Sequence, residues 1–349
     1  MAAMELTKTF RIGVLGLTHD HVWQNMRELS GTPHGLLTAV ADANKPLLER
    51  AKKEFECATY KDPMTLLQRE RLDAVYIFGD NALSVDMAEA AASRGLHILV
   101  EKPMAADLIG ADRMLAAARR AGVRLMVNWP FAWRPQMQHA LTLARGGEIG
   151  RIWQVKYRAS HEGPLELGCS PYFVGWLYDP ELNGAGALMD YGCYGACLSS
   201  YLLGLPSRVT AVGGRLCKED LLAEDNAVIL MSYPRAISIA EASWTQIGNL
   251  TSYVAVIYGT TGTIFIETGD AGRVLVANKD FPDGVAAVVP PSPPHLQNSS
   301  ANFIYCLETG EDFAPLCEAR TARDAQEILE AALMAADSGN DVSLPLRNV

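Results

Sequence analysis

The sequence predicts an α/β part, a doubly wound parallel sheet, followed by an α+β part built on a large open, mainly antiparallel sheet. Over the first ~125 residues, short apolar segments alternate with helical segments, as in parallel strands joined by crossover helices. After Asn128 the predicted strands follow one another with few helices between them. A chain of 349 residues is also too long for one small core. We therefore predict two domains, residues 1–128 and 129–349.

The N-terminal strands are short apolar runs that end on polar residues or turns. They are predicted over residues 11–16, 36–41, 73–78, 96–100 and 123–128. The helices are predicted to start near Asp20 or His21, after Asp42, at residue 85 and at residue 108, and the last two end at residues 93 and 121. Pro46 falls in the first turn of the second helix, where proline is tolerated.

The C-terminal part contains longer strands separated by turn residues. Residues 129–135 break the earlier alternation and predict a hinge lined with aromatic side chains. The strands are predicted over residues 152–159, 208–216, 227–233, 237–245, 252–259 and 263–268. Only two helices are expected, 187–203 and 322–336, the second of them near the first domain, and residues 281–300 form a surface loop. Trp244 is predicted on the sheet surface or at a subunit interface.

Composition and charge exclude several classes of function. With 49% hydrophobic and 20% charged residues, the chain has the composition of an ordinary globular protein. A formal net charge of −10 argues against a nucleic-acid partner. No apolar run approaches the ~18 residues that span a bilayer, and residues 1–10 lack the apolar core of a signal peptide. Seven cysteines without a C-x-x-C pair predict reduced thiols and a cytoplasmic protein.

The strongest local signal is the turn Glu101-Lys102-Pro103, which directly follows a buried strand. Ligands of open α/β sheets bind outside the carboxyl ends of the strands, so this turn delivers a carboxylate and an ammonium group to that edge. Because Lys102 precedes a proline and must point at the ligand from a strand end, we predict a cis peptide bond before Pro103. On these residues alone, a solvated Glu-Lys pair is the simpler interpretation.

The first strand leads into a loop that matches a dinucleotide-binding fingerprint only in part. Of its three glycine positions only Gly16 is glycine, while Thr18 and His21 occupy the others. Asp42, 26 residues after Gly16 at the end of the second strand, is the better signal, because a carboxylate there binds both hydroxyls of the adenosine ribose. It would repel a 2′-phosphate, which favours NAD over NADP, although NADP remains possible. Asp42 is also a candidate N-cap for the next helix.

His19 and His21 lie two residues apart at the predicted start of the first helix. No cysteine or third histidine is near them in sequence, so we predict no metal site. The preferred interpretation is polar contact with cofactor phosphates beside the helix N-terminus.

These landmarks together resemble the family of glucose–fructose oxidoreductase, inositol dehydrogenase and MocA-like proteins. The resemblance covers nearly the whole chain, and its landmarks are the segments at residues 73–77, Asn81, 95–103, 147–150, 184–190, 258–262 and 344–346. It implies an N-terminal Rossmann domain, an NAD(P)-dependent dehydrogenase or reductase, and a catalytic, substrate-binding role for Lys102. The residues argued above and those of the family landmarks together give the candidate cofactor-binding residues, which are Gly16, Leu17, Thr18, His19, His21, Asp42, Asn81, Glu101 and Lys102.

The second family landmark is a helix carrying Asp-x-Gly-x-His, which here reads Asp190-Tyr191-Gly192-Cys193-Tyr194. Tyrosine replaces the usual histidine, as it does in relatives that act on aldoses and dihydrodiols, and a carboxylate often found three residues later is Cys197. Asp190 and Tyr194 are four residues apart and so share one helix face. We expect the ammonium group of Lys102 to lower the pKa of Tyr194 and make it the catalytic base. Read alone, Tyr194 is equally well a core tyrosine.

Weaker pocket candidates are aromatic and polar residues near the hinge and before the second helix. We predict substrate contacts for Asn128, Trp129, His161, Tyr172 and Trp176. Arg134 and Glu162 lie close to them, and each of these residues has ordinary packing as its alternative.

The sequence therefore predicts hydride transfer between NAD(P) and a hydroxyl or carbonyl carbon of a sugar, polyol or cyclic diol. The alternatives are an NAD-dependent glycoside hydrolase that oxidises its sugar transiently, and a non-catalytic dinucleotide-binding regulator. Consecutive apolar residues in the strands at 254–257 and 264–266 predict that the open sheet face is covered in a homodimer or homotetramer.

Overall fold

The N-terminal half is a parallel six-stranded sheet with helices on both faces. The structure is a computed structural model that describes residues 8–268 and 272–346. The strands are β1 (Phe10–Leu15), β2 (Gly35–Ala41), β3 (Ala58–Tyr60), β4 (Ala74–Ile77), β5 (His97–Glu101) and β6 (Leu125–Asn128). The helices are α1 (His21–Gly31), α2 (Lys45–Phe55), α3 (Pro63–Arg69), α4 (Ser84–Ala92) and α5 (Leu108–Ala121).

The strand order of this sheet is β3-β2-β1-β4-β5-β6, with every neighbouring pair parallel. The order reverses between β1 and β4, which is where doubly wound sheets bind ligands. The predicted doubly wound sheet is confirmed. Strand β3 and helix α3 were not predicted, and the three residues of β3 are too few to show an apolar run.

The second half is a nine-stranded sheet whose outer strands are short. Its strands are β7 (Ile152–Ser160), β8 (Arg208–Gly214), β9 (Asn226–Tyr233), β10 (Ala236–Ser243), β11 (Val254–Gly259), β12 (Gly262–Glu267), β13 (Val274–Asn278), β14 (Val285–Ala286) and β15 (Val342–Ser343). They lie in the order β14-β13-β12-β11-β7-β10-β9-β8-β15. Among the described strands of this sheet, only β7 and β10 pair in parallel, so the mainly antiparallel prediction is confirmed.

Helices cover one face of this sheet and lie beside it. They are α6 (Pro135–Arg145), α7 (Pro171–Leu177), α8 (Pro180–Asn183), α9 (Cys193–Leu203), α10 (Ser299–Thr309) and α11 (Ala319–Ser338). The expectation of only two helices here is wrong. Helix α6 starts at Pro135 inside the aromatic hinge, and α10 starts at the end of the proline-rich segment, where the Asn298 side chain caps it by accepting from Ala301 N.

The predicted helix 187–203 begins with a wider turn. Leu188–Gly192 forms a π-helical turn that runs into α9. Gly195 lies where α9 crosses the sheet, and a Cβ there would overlap the side chain of Ala240 on β10. The absent side chain therefore lets α9 approach the sheet closely. Helix α11 packs against α9 and β8 and also contacts α5 of the parallel sheet.

Two predictions from composition can be compared with the described residues. All seven cysteines lie in the described part of the chain, and each is a free thiol there. Over residues 8–268 and 272–346, every helix is too short or too polar to cross a lipid bilayer.

Candidate active site

Strand β5 ends by placing Lys102 inside the molecule. Lys102 is 2% exposed, and its bond to Pro103 is cis, as predicted. Its ammonium group donates to Asp190 Oδ1 at 2.6 Å and to the Asp190 carbonyl at 3.2 Å. The turn after β5 and the π-helical turn before α9 thus form a buried ion pair between the two halves of the protein.

Asp190 is held from its other side by Trp244. The indole N–H of Trp244, which is fully buried, donates to Asp190 Oδ2 at 3.0 Å. The prediction that Trp244 lies on a surface or interface is wrong, since the residue follows β10 and points into the core. Burial raises the pKa of Asp190, but Lys102, His161 and Trp244 lower it more, so the pKa lies below its usual value and the carboxyl is ionised.

Lys102 is held in its charged form by the same pair. Burial lowers the pKa of its ammonium group, whereas the negative charge of Asp190 and other nearby groups raises it by a larger amount. The net pKa is above the usual lysine value. Lys102 is therefore a proton-bearing donor at neutral pH.

Tyr194 lies one turn after Asp190, on α9. Its ring centroid is 5.2 Å from Lys102 Nζ. The expectation that Lys102 lowers the pKa of this tyrosine is wrong, because burial raises the pKa well above its usual value. Among the described residues the Tyr194 hydroxyl makes no hydrogen bond, and its side chain lines a cavity. At neutral pH Tyr194 is thus a hydroxyl donor and not a phenolate.

These groups face a cavity of about 560 Å³. Lys102, Asp190 and Tyr194 lie on its wall with His21, His161 and Arg134. The Nδ1 atom of His161 accepts from Gly163 N at 2.8 Å, and burial lowers the pKa of His161 to about 4. His161 is therefore neutral at pH 7, with its other ring nitrogen carrying the proton.

Three tyrosines on the cavity wall were missed in the sequence analysis. Tyr191 and Tyr253 join their hydroxyls at 2.7 Å, and the ring of Tyr157 stacks parallel to that of Tyr194 with centroids 6.0 Å apart. Tyr191 was adjacent to a recognised motif. Tyr157 and Tyr253 come from β7 and from the turn before β11, and no local pattern distinguishes them from packing residues.

Several predicted substrate contacts lie outside this cavity. Trp129 is 1% exposed and packs edge-on against Tyr194. Tyr172 is half-buried on α7, and the buried ring of Trp176 packs against His19. Asn128 donates to Glu101 Oε2 at 2.8 Å and accepts from Trp133 Nε1 at 2.9 Å. Of the five predicted substrate residues, His161 alone is on the cavity wall.

The carboxyl edge of β1 and β2 forms a tight loop. Gly16 has a φ of +84°, and a Cβ there would lie 2.7 Å from Gly79 N. Asp42 is 5% exposed, and its carboxylate accepts from Leu17 N at 2.7 Å and from Asn44 N at 2.7 Å. Asn44, and not Asp42, is the N-cap of α2. Asp42 therefore fixes the loop that starts at Gly16, with Thr18 half-buried beyond it.

Asn81, His19 and Asp20 join this edge to the second half of the protein. Asn81 donates to the side chain of Asn183 at 2.8 Å. The buried ring of His19 lies 4.5 Å from that of Phe173, centroid to centroid, and Asp20 accepts from Ser170 N at 2.7 Å. The carboxyl edge of the parallel sheet thus lies next to the cavity.

His19, His21 and Glu101 bring candidate ligand atoms within 4.8 Å of one another. Glu101 lies 80 residues after His21, so no local pattern predicts this cluster. His21 Nδ1 lies 3.1 Å from Glu101 Oε1, and His19 Nδ1 accepts from His21 N at 3.2 Å. These hydrogen bonds account for the orientation of the three side chains.

The parallel sheet edge has the features that a bound dinucleotide requires. The positive φ of Gly16 and its contact with Gly79 exclude a side chain at the turn, and the N-terminus of α1, a position that suits an anion, follows five residues later. Asp42 stands at the end of the neighbouring strand. With the buried Lys102–Asp190 pair in an adjoining cavity, the fold and site define a dinucleotide-dependent oxidoreductase.

Comparison with protein families agrees with this assignment. The model described as "Oxidoreductase family, NAD-binding Rossmann fold" matches residues 10–129, and the GFO/IDH/MocA C-terminal domain matches residues 137–265. The chain belongs to the Gfo/Idh/MocA family of NAD-binding oxidoreductases.

Curated relatives are named for reactions on sugars. A D-apiose dehydrogenase of Paraburkholderia graminis is 27% identical over 95% of this chain and 88% of its own length. A D-xylose 1-dehydrogenase (NADP(+)) of Haloferax volcanii is 36% identical over 57% of this chain and 59% of its own length. Among solved structures, an aldose-aldose oxidoreductase from Caulobacter crescentus covers 97% of this chain and 100% of its own, with a TM-score of 0.81 at 21% identity.

Proposed function

We propose that this oxidoreductase interconverts a secondary alcohol and a ketone, or a hemiacetal and a lactone, on a sugar or polyol. The observation that carries the proposal is the buried Lys102–Asp190 pair, which faces a cavity together with the free hydroxyl of Tyr194. The sugar dehydrogenases and reductases among the relatives support a substrate of this class. The cavity wall is largely aromatic, which suits the apolar faces of sugar rings.

The cofactor would be held along the carboxyl edge of the parallel sheet. Gly16, Leu17 and Thr18 would face the diphosphate, Asp42 the adenosine ribose, and Glu101, with Asn81 and His21, the nicotinamide end. His19 would support this end from beneath, since it is buried. When bound, NAD(H) supplies or accepts the hydride.

The protein's own groups handle the proton and the developing charge. Lys102 and Tyr194 both carry protons at neutral pH, so each donates a hydrogen bond to the oxygen of the reacting carbon. The two donors stabilise negative charge on that oxygen, and Tyr194 gives it a proton in the direction of reduction. Asp190 keeps Lys102 charged and orients it, and Trp244 orients Asp190.

A substrate panel tests this function directly. Aldoses, polyols and their keto forms are incubated with NAD(H) and NADP(H), and the nicotinamide absorbance is followed. Turnover of at least one sugar-like compound, abolished in Lys102→Met, is the expected result. Hydrolysis of a glycoside by protein that retains NAD through purification, with no net change of absorbance, would favour a hydrolase instead.

We further propose two domains that meet at residues 128 and 129, a cytoplasmic location and a homodimeric or homotetrameric assembly. The free state of all seven described cysteines supports a reducing compartment. Apolar side chains on the open face of the nine-stranded sheet support self-association.

A further inference from the structure

Tyr157 presents a buried donor to the cavity. The residue lies on β7 and is 1% exposed, and its hydroxyl has no hydrogen-bond partner among the described residues. A buried hydroxyl without a hydrogen-bond partner destabilises the folded protein, so such groups in native proteins call for an explanation. Because Tyr157 lines the active-site cavity, a ligand atom in that cavity can supply the missing acceptor.

Arg134 presents a second donor to the same cavity. It lies between the hinge and α6, where it is exposed to solvent and lines the cavity, and its side chain makes no ion pair or hydrogen bond with any described residue. Its charge is close enough to Tyr157 to lower the pKa of that phenol, although burial raises it by more.

Among the described residues on this cavity wall, no carboxylate is left to pair with Arg134. Asp190, the carboxylate that lines the cavity, is already paired with Lys102 at 2.6 Å. The Glu101 carboxylate lies behind the wall and is held by His21 and Asn128. His161 is neutral at pH 7. A ligand that pairs with Arg134 in this cavity would therefore bring its own negative charge.

We propose that Arg134 and Tyr157 form a subsite for a carboxylate on the substrate, so that the substrate class is sugar acids and not neutral sugars. This inference rests on the proposed function, since it places the reacting carbon at Lys102 and Tyr194. A guanidinium donates to both oxygens of a carboxylate, and a phenol adds a hydrogen bond to one of them. The ring centroids of Tyr157 and Tyr194 are 6.0 Å apart, which is less than the length of a sugar-acid chain. One substrate molecule can therefore contact both residues.

Matched pairs of ligands test the subsite by binding, without need of turnover. D-galacturonate is compared with D-galactose, and D-gluconate with D-glucitol, by calorimetric titration of the NAD-saturated protein. D-glucose 6-phosphate serves as a phosphate-bearing probe. We expect each acid to bind at least about tenfold more tightly than its neutral partner, with a preference that weakens as salt is added.

Three variants assign the preference to these residues. In Arg134→Gln the acid and its neutral partner should bind equally, while Arg134→Lys should keep part of the preference because it keeps the charge. Tyr157→Phe should weaken the acid several-fold and leave the neutral sugar unchanged. The dissociation constant for NAD, measured by tryptophan fluorescence, should be the same in all three.

Four outcomes would overturn the subsite. The first two concern the wild type: it binds acids and neutral sugars equally, or it binds NAD but neither acid. The third is a loss of NAD affinity in Arg134→Gln. The fourth is tighter binding of the sugar phosphate than of either acid. If the acid preference is found but no compound is oxidised or reduced, the proposed hydride transfer fails and the subsite stands.

Discussion

The charge on Lys102 is buried in the protein interior, where an unpaired charge has a large free-energy cost because it has lost its water. Its partner Asp190 is 4% exposed, so both members of the pair have lost their water. Such a pair contributes little net stability, yet removing one member leaves an uncompensated charge that costs about 3–5 kcal/mol. The pair is thus better understood as a device that keeps Lys102 protonated and aimed into the cavity.

Single and double replacements of this pair separate stability from activity. Lys102→Met and Asp190→Asn should each lower the free energy of unfolding by about 3–5 kcal/mol, because each leaves one buried charge. The double variant should recover most of that loss and still lack activity. Urea denaturation gives the stabilities, and a double variant no more stable than the single ones would contradict the argument.

Replacing Tyr194 tests its role as the proton-carrying hydroxyl. Tyr194→Phe should lower turnover by ~10²–10⁴ and leave NAD binding unchanged. Since burial raises the pKa of Tyr194, alcohol oxidation by the wild type should keep rising with pH through the neutral range, whereas carbonyl reduction should not. The rise should vanish in the variant. Full turnover with the wild-type pH profile would assign the proton to Lys102 or His161.

The lowered pKa of His161 predicts that the protein loses stability in acid. Its pKa in the folded state, about 4, is below the 6.5 of an exposed histidine, so the unfolded chain binds the proton more tightly. Its contribution to stability is complete above pH 6.5 and is lost as the pH falls towards 4. Between these two pH values, the free energy of unfolding of His161→Gln should therefore fall by about 1–3 kcal/mol less than that of the wild type. Melting experiments across this interval measure the difference. If the stability of both proteins fell by the same amount over this interval, His161 would be more exposed to solvent than it is in the structure.

Elements with strong local signals were predicted well from the sequence. Helix α5 has the predicted bounds, Leu108–Ala121, because Asp107 caps it by accepting from Gly110 N and Gly122 ends it with a φ of +65°. Helix α6 has no such signal: it starts with proline after an aromatic segment, and its cap makes no side-chain hydrogen bond. Short edge strands such as β15 exist only through their pairing with a distant strand.

The same distinction applies to the site. Lys102, Asp190 and Tyr194 were identified because each belongs to a short motif at a strand or helix end. Trp244 and Tyr157 reach the site through sheet pairing and helix packing, which the local sequence does not encode. The expected effect of Lys102 on Tyr194 failed for a related reason, since the sequence does not reveal how deeply a group is buried.

The loop between β1 and α1, together with the end of β2, should determine which dinucleotide binds more tightly. The Asp42 carboxylate already accepts backbone hydrogen bonds, and a 2′-phosphate nearby would be repelled by it. We expect NAD to bind at least several-fold more tightly than NADP in fluorescence titrations. Asp42→Asn, the matched neutral variant, should reduce the difference, and equal affinities in the wild type would remove Asp42 from the ribose.

At the scale of the whole molecule, the nine-stranded sheet has one face covered by α9 and α11 and one face open. Outward-facing side chains on β8, β9 and β10 are apolar and substantially exposed: Val212 at 68%, Val228 at 41%, Leu230 at 39% and Ile237 at 40%. Next to them, Glu241 accepts from Lys156 and Arg158. An apolar patch with a charged border is typical of a protein interface.

We therefore expect the chain of 37.9 kDa to be at least a dimer at micromolar concentration in light scattering. Leu230→Glu should dissociate it, because a twofold contact places the new charge near its own copy, at a cost of several kcal/mol. Leu83→Glu, at a site 52% exposed beside α4, is the matched control and should leave the mass unchanged. A monomeric wild type would show that the open face serves another purpose. Dissociation by both variants would mean that the assembly uses more than this face.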